Sequence, residues 1–357
     1  MMIVSRMAAA LAFTTIVLGA CSDAAPVGGR VHEAPLVFLD SVRIEESDSI
    51  LVAKPNAIAI GGDGTMFISD YGERRVLQVG RDGRGLRVLA RTGGGPGEVS
   101  SPSSLAVIGD SLLVVSNTAK RLEFFDAVRG TYRSSQPVNF LGGLLGNSQR
   151  EMLLASVLTD SGTSFALLVP GDSLPTRGGS IPDIYTKNPL LAQAFASTGL
   201  TRDSTDIVGI LEASNTLYRW RGTSVVDTIT MTPVVRRGAK PDILLELLRD
   251  PTKAPTLAFQ WSVPFQAAPL SQRRTALVFF DPTVKGTEFV GPYYLHLADW
   301  VTHRACEEVR LPVPEDTPSR FAFRGDTLTA LVQHPTGTSG STWLVRWRVG
   351  YTVCPAP

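Results

Sequence analysis

Histidine, cysteine and lysine are scarce in this chain of 357 residues, which carries four, three and six of them. With only His32, His296, His303 and His334 available, and no Gly-x-Ser-x-Gly, the strand-to-helix elbow that exposes a serine nucleophile has no support. His303 stands three residues before Cys306, but no second close pair completes the four ligands of a zinc site. Arginine outnumbers lysine 28 to 6, yet the arginines are dispersed and the formal charge is only +1. A near-neutral chain without a basic run lacks the electrostatic footprint of a nucleic-acid binder. A phosphate loop is also missing. The glycine-rich run Gly93-Gly94-Gly95-Pro96-Gly97 leads into Glu98-Val99, which puts a carboxylate where phosphate would approach. No motif points to a pair of catalytic carboxylates, and no residue is assigned a catalytic role.

What is present begins with a targeting segment. Arg6 precedes an uncharged, mostly apolar run from Met7 to Val17, too short to span a bilayer as a mature helix. Its end, Leu18-Gly19-Ala20-Cys21, resembles the lipobox of bacterial lipoproteins. That resemblance implies cleavage after residue 20, acylation of Cys21 and stable anchoring without a transmembrane helix. By the same resemblance, Ser22 after the cysteine implies the outer membrane, facing the periplasm. Residues 21–34 have the small, polar and Gly/Pro content of a flexible tether. Loss of Arg6 with the signal leaves a formal charge of zero. Cys306 and Cys354 then form an even pair in a compartment where disulfides persist. A bridge between them would close a loop of roughly 50 residues and contribute about 2–4 kcal/mol.

The rest of the chain, 35–354, is organised around one pattern written twice. Lys54 to Val79 contains a short apolar strand from Pro55, the turn Gly61-Gly62-Asp63-Gly64, a second strand ending at Asp70, the turn residues Arg74-Arg75 and a third strand. Ser101 to Asp126 repeats it with Pro102, Gly109-Asp110, Asn117, Lys120-Arg121 and Leu122-Glu123-Phe124-Phe125-Asp126. Pro55 to Pro102 and Asp63 to Asp110 are both offset by 47 residues, a period belonging to propellers and other β arrays. Weaker copies follow around Met152–Val169, Ile207–Ile229, Ala276–Leu297 and Arg320–Val349, the last with Gly325-Asp326-Thr327-Leu328 echoing Gly109-Asp110-Ser111-Leu112. The count predicts an all-β, six-bladed β-propeller with roughly 50 residues to a blade. Pro35 to Glu46 reads as a strand that joins the C-terminal blade and removes its open edge. Residues 176–203 and 231–272 break the rhythm. The first is predicted to hold a short helix around Pro189 to Phe195, the second a helix opening at Pro241.

The order Arg-x-Gly-Gly-Gly-Pro-Gly-Glu, Pro, strand, Gly-Asp, strand, Lys-Arg-Leu-x-Phe-Phe-Asp over residues 54–126 resembles the NHL-type six-bladed β-propellers of bacterial envelope proteins. That superfamily includes binding scaffolds and enzymes. Its lactonase-like members hold a central metal through carboxylates and an Asn, which would make Asp70, Asn117 and Asn215 ligands of a Ca²⁺ ion in a metal-dependent lactonase-like or lyase-like hydrolase. The alternative role of such residues is to cap strands and end turns. Arg75 and Arg121, at matching positions, could form a basic arc for a ligand or a polar turn. Trp261, in the second insertion, could be a ligand platform or core. The reading adopted is a monomeric, cofactor-free, non-catalytic binding or scaffold lipoprotein of the cell envelope, whose partner is an envelope protein or a small ligand.

Overall fold

A computed structural model describes residues 36–47, 50–109, 112–117, 120–138, 142–146, 152–156, 163–172, 175–183, 198–211, 214–250, 253, 257, 260–285, 288–334 and 341–350. Cys21, Cys354, the tether and the helix expected around Pro189 to Phe195 lie outside the described residues.

The described chain is a β-propeller. The first sheet runs Pro55–Ile60, Met66–Asp70, Arg75–Val79, Gly85–Thr92 and Glu98–Val99. The second comprises Pro102–Ile108, Leu112–Asn117, Arg121–Asp126 and Tyr132–Pro137, and the third Gly142–Gly146, Met152–Ser156, Thr163–Leu168 and Thr176–Ser180. The fourth is Thr198–Asp203, Asp206–Leu211, Thr216–Arg221 and Ser224–Thr230. The fifth is Val263–Leu270, Arg274–Phe280, Tyr293–Asp299 and Arg304–Arg310, with a small hairpin, Thr283–Lys285 and Glu288–Val290, between its second and third strands. The closing sheet takes Arg320–Arg324, Thr327–His334 and Ser341–Val349 from the C-terminal end, and Leu36–Arg43 from the N-terminal end.

Each sheet's first strand packs against the next sheet, and Arg320–Arg324 of the closing sheet returns to Pro55–Ile60, so the contacts close a ring. Leu36–Arg43 pairs antiparallel with Ser341–Val349, from Leu36 opposite Val349 to Arg43 opposite Trp343. This is the edge-covering pairing that the sequence implied, and it removes the free edge of Ser341–Val349.

The expectation of a six-bladed propeller is corrected: the four-stranded blades number five. The Pro55–Val99 sheet has five strands. The turn at Gly93–Gly97 is the cause. It returns the chain so that Gly93 N donates to Val99 O at 3.1 Å, and Glu98–Val99 lies parallel beside Gly85–Thr92. Gly97 sits at φ +76°, a conformation that disfavours any residue with a Cβ.

The middle strands are buried on both faces. Met66–Asp70, Asp206–Leu211 and Tyr293–Asp299 are buried at every position. This explains why they read as continuous apolar runs rather than alternating ones. The side chains interdigitate between neighbouring sheets: Phe67, Val76, Leu105, Leu113 and Phe125 pack the first sheet on the second, while Val278, Leu295, Phe321, Leu328 and Trp347 pack the fifth on the closing sheet. The helix Pro241–Arg249 forms where Pro241 predicted it, with proline in the first turn and Asp242 near its positive N-terminal end. The 176–203 segment is not one uninterrupted insertion, since it contributes Thr176–Ser180 to the third sheet and Thr198–Asp203 to the fourth.

Candidate functional site

Asp70 ends the second strand of the first sheet and is fully buried. Its Oδ2 accepts from Ala53 N at 2.9 Å, and its Oδ1 accepts from Lys54 N at 2.9 Å, Gly72 N at 3.0 Å and Glu73 N at 3.3 Å. One carboxylate thus ties the chain entering the sheet to the turn leaving it. Asn117 ends the matching strand of the second sheet, opposite Pro102 and Arg121. Asn215 is hydrogen-bonded in both directions to Ala239, donating to its carbonyl at 3.2 Å and accepting from its amide at 3.4 Å. It fastens the second insertion to the fourth sheet. Both Asp70 and Asn215 therefore direct their oxygens at local backbone. Among the described residues, no group of three or more His, Cys, Asp or Glu side chains is placed to hold a metal ion.

Arg75 donates to Leu51 O at 2.6 Å. Arg121 reaches back to the glycine turn, donating through Nη2 to Gly95 O at 2.9 Å and through Nη1 to Gly94 O at 3.2 Å, while its Nε meets Glu123 Oε1. Burial pushes the Glu123 carboxyl up, and Arg121 opposes that shift. The residues preceding these arginines, Arg74 at φ +50° and Lys120 at φ +55°, form the left-handed corners of the two matching turns. Recurrence of the basic pairs thus marks turn geometry. Trp261 is fully buried and offers no face to a ligand. Cys306 is buried on Arg304–Arg310.

A charged cluster in the fifth sheet went unnoticed in the sequence. Glu308 and His296 point into the same sealed space, each with a side chain 1% exposed. Glu308 Oε2 accepts from the amides of Val234 and Val235 at 2.9 Å and of Arg236 at 3.3 Å. Its Oε1 lies 2.6 Å from Arg236 Nε and 3.1 Å from His296 Nδ1. The Arg236 guanidinium also covers the Phe279 ring at 3.8 Å. Burial works against the Glu308 charge, but His296, the backbone amides and Arg236 outweigh it and hold the carboxyl at about 2. The cluster anchors the start of the second insertion onto the fifth sheet. A signal existed: Glu308 stands two residues after Cys306, in phase with a buried position of the same strand.

Solvent-open volume lies elsewhere. A groove of about 650 Å³ runs between the outer strand Tyr132–Pro137 and the Pro170–Asp172 turn of the third sheet. Leu112 and Phe124 supply apolar surface, and Arg133, Ser134, Ser135 and Gln136 supply polar groups. Gln136 donates to Asp172 O and accepts from Gly171 N at 3.3 Å, bridging the two sides. Arg133 is paired with Asp126 at 2.6 Å. The Arg129 amide, the Arg133 guanidinium and the Val128 amide together hold the Asp126 carboxyl down at about 2.

No family model matches the chain, and no curated protein matches its sequence. Solved structures do match in shape. A protein of Bacteroides fragilis assigned as exported superposes with a TM-score of 0.62 at 12% identity, covering 90% of this chain and 98% of that one. The β-propeller domain of Cps50 (Swd1) from Myceliophteria thermophila gives 0.48 at 9% identity over 85% of this chain and 100% of that one. The likeness to the Bacteroides fragilis protein is one of fold.

Proposed function

We propose that this chain is an envelope-anchored, non-catalytic β-propeller lipoprotein that binds a partner at the groove beside Tyr132–Pro137. The observation that carries this reading is where the reactive side chains are spent. Asp70 is saturated by four backbone amides, and Glu308 and His296 are sealed against solvent. The open groove, by contrast, combines apolar surface with serine, glutamine and arginine side chains, a lining suited to recognition rather than bond breaking. No resident metal is needed for that role.

The finer assignments belong to the same proposal. The ring is of NHL type. Cys21 carries the lipid and places the protein in the outer membrane, facing the periplasm. Cys306 pairs with Cys354, a pairing supported by the burial of Cys306 among residues of the fifth and closing sheets. Palmitate labelling and detergent partitioning test the anchor: wild type takes label and enters the detergent phase, while Cys21→Ser does neither. Photo-crosslinking in the intact envelope tests the groove. A probe at Ser135 is expected to give a discrete adduct that a probe at the exposed Val284 does not, and identical patterns from the two positions would contradict the reading.

A further inference from the structure

At the seam between the closing sheet and the first sheet, three arginines converge on a cavity of about 240 Å³. Arg324 comes from the end of Arg320–Arg324, Arg346 from Ser341–Val349, and Arg81 from the turn after Arg75–Val79. Thr327 and Thr329 line the same space, and Arg346 lies opposite Thr329 in the strand register.

The arginines are held in place by the fold. Arg324 donates to Gly61 O and Arg346 donates to Arg81 O, both across the seam. Arg346, 8% exposed, also lies 3.3 Å from Asp40 Oδ2. The stem of Arg81 lies across Gly64, where an added Cβ would meet its Cδ at 3.2 Å. Asp63 is the only carboxylate lining the cavity among the described residues, and both its oxygens are engaged by Thr65, with the backbone amide at 2.9 Å and the hydroxyl at 2.8 Å.

Charge is therefore in excess. Asp63 and Asp40 offset two of the three guanidinium groups, and Arg81 is matched by no lining carboxylate. Guanidinium forks and threonine hydroxyls are the donors that recognise planar carboxylates and tetrahedral phosphates. A cavity of this size accepts an anion larger than phosphate itself but excludes a polymer. We propose that this seam is a binding site for a small organic anion bearing a carboxylate or phosphate group, with Arg81 supplying its unmatched charge and Arg346 the buried one. Occupancy would join the N-terminal part of the ring to its C-terminal part and so report on closure. The site is separate from the groove, and its failure would leave the partner-binding reading untouched.

The test is a thermal melt and calorimetric titration of the full chain in detergent micelles, using inorganic phosphate and succinate as probes and sodium chloride at matched ionic strength as control. Saturable binding by either probe, accompanied by a rise in Tm absent with chloride, is the expected result. Phosphate alone would assign the site to phosphate monoesters, and succinate alone to carboxylates. Arg81→Ala is expected to weaken binding about tenfold without lowering the Tm of the unliganded protein, because Arg346 bonds the Arg81 carbonyl and not its side chain. Thr327→Val provides a second variant with the seam intact. No saturable binding of either anion up to millimolar levels, or equal binding by wild type and both variants, would overturn the proposal.

Discussion

Asp70 in the first sheet and Glu308 in the fifth do the same work: a buried carboxylate collects the amides of a segment that would otherwise have no sheet to pair with. Removing such an acceptor leaves several donors in the core, each costing about 1–3 kcal/mol when unsatisfied. Asp70→Ala is accordingly expected to lower the unfolding free energy by about 3 kcal/mol, with Asp70→Asn milder, as read by urea denaturation. Glu308→Gln breaks a buried ion pair and is expected to cost about 3–5 kcal/mol. The pH dependence follows from the sign of its shift. Glu308 in the folded protein titrates at about 2, below its ordinary 4.5, so its stabilisation is fully present above pH 4.5 and is lost as pH falls toward 2. Wild type should lose stability across that window, and the glutamine variant should show a shallower slope. At this scale the sequence was only partly legible. Asp70 and Asn215 could be singled out as polar residues near strand ends, but whether a carboxylate faces a metal or a row of amides depends on the chain brought opposite it, here Ala53 and Lys54. Arg236 and Glu308 are 72 residues apart, and nothing local in either segment announces the other.

At the scale of elements, the middle strands were the readable ones, because a strand covered on both faces must be apolar throughout. Outer strands obey the opposite rule. Tyr132–Pro137 is exposed at nearly every position and reads Tyr-Arg-Ser-Ser-Gln-Pro, with no hydrophobic period to find. Gly142–Gly146, the first strand of the third sheet, was hidden differently: it reads Gly-Gly-Leu-Leu-Gly, which looks like a turn. The fifth strand of the first sheet was hidden for a related reason, being two residues long and defined by the turn before it. Leu36–Arg43 was legible because a closed ring needs an edge covered, and its function as a cover yields a prediction. A chain beginning at Ile44 is expected to expose the Ser341–Val349 edge and to self-associate, giving a larger mass by light scattering than the longer chain. A monomer with unchanged stability would show that this edge needs no cover.

The described residues form a ring whose interior side chains mostly serve the ring. The 47-residue offset between the first two copies was enough to read a β-propeller but not its number of blades, because the later copies drifted as insertions between sheets changed their spacing. The proposed function rests less on motifs than on two openings among the described residues: a groove beside the second sheet and an arginine-lined seam at the closure. The most direct measurement is the metal content of the mature chain, purified without chelator, together with its thermal melt with and without added Ca²⁺. A non-catalytic binding propeller predicts no stoichiometric ion and a Tm indifferent to calcium. A stoichiometric ion accompanied by a clear rise in Tm would contradict it, because Asp70 and its neighbours would then be ligands of a catalytic centre and not clasps of the fold.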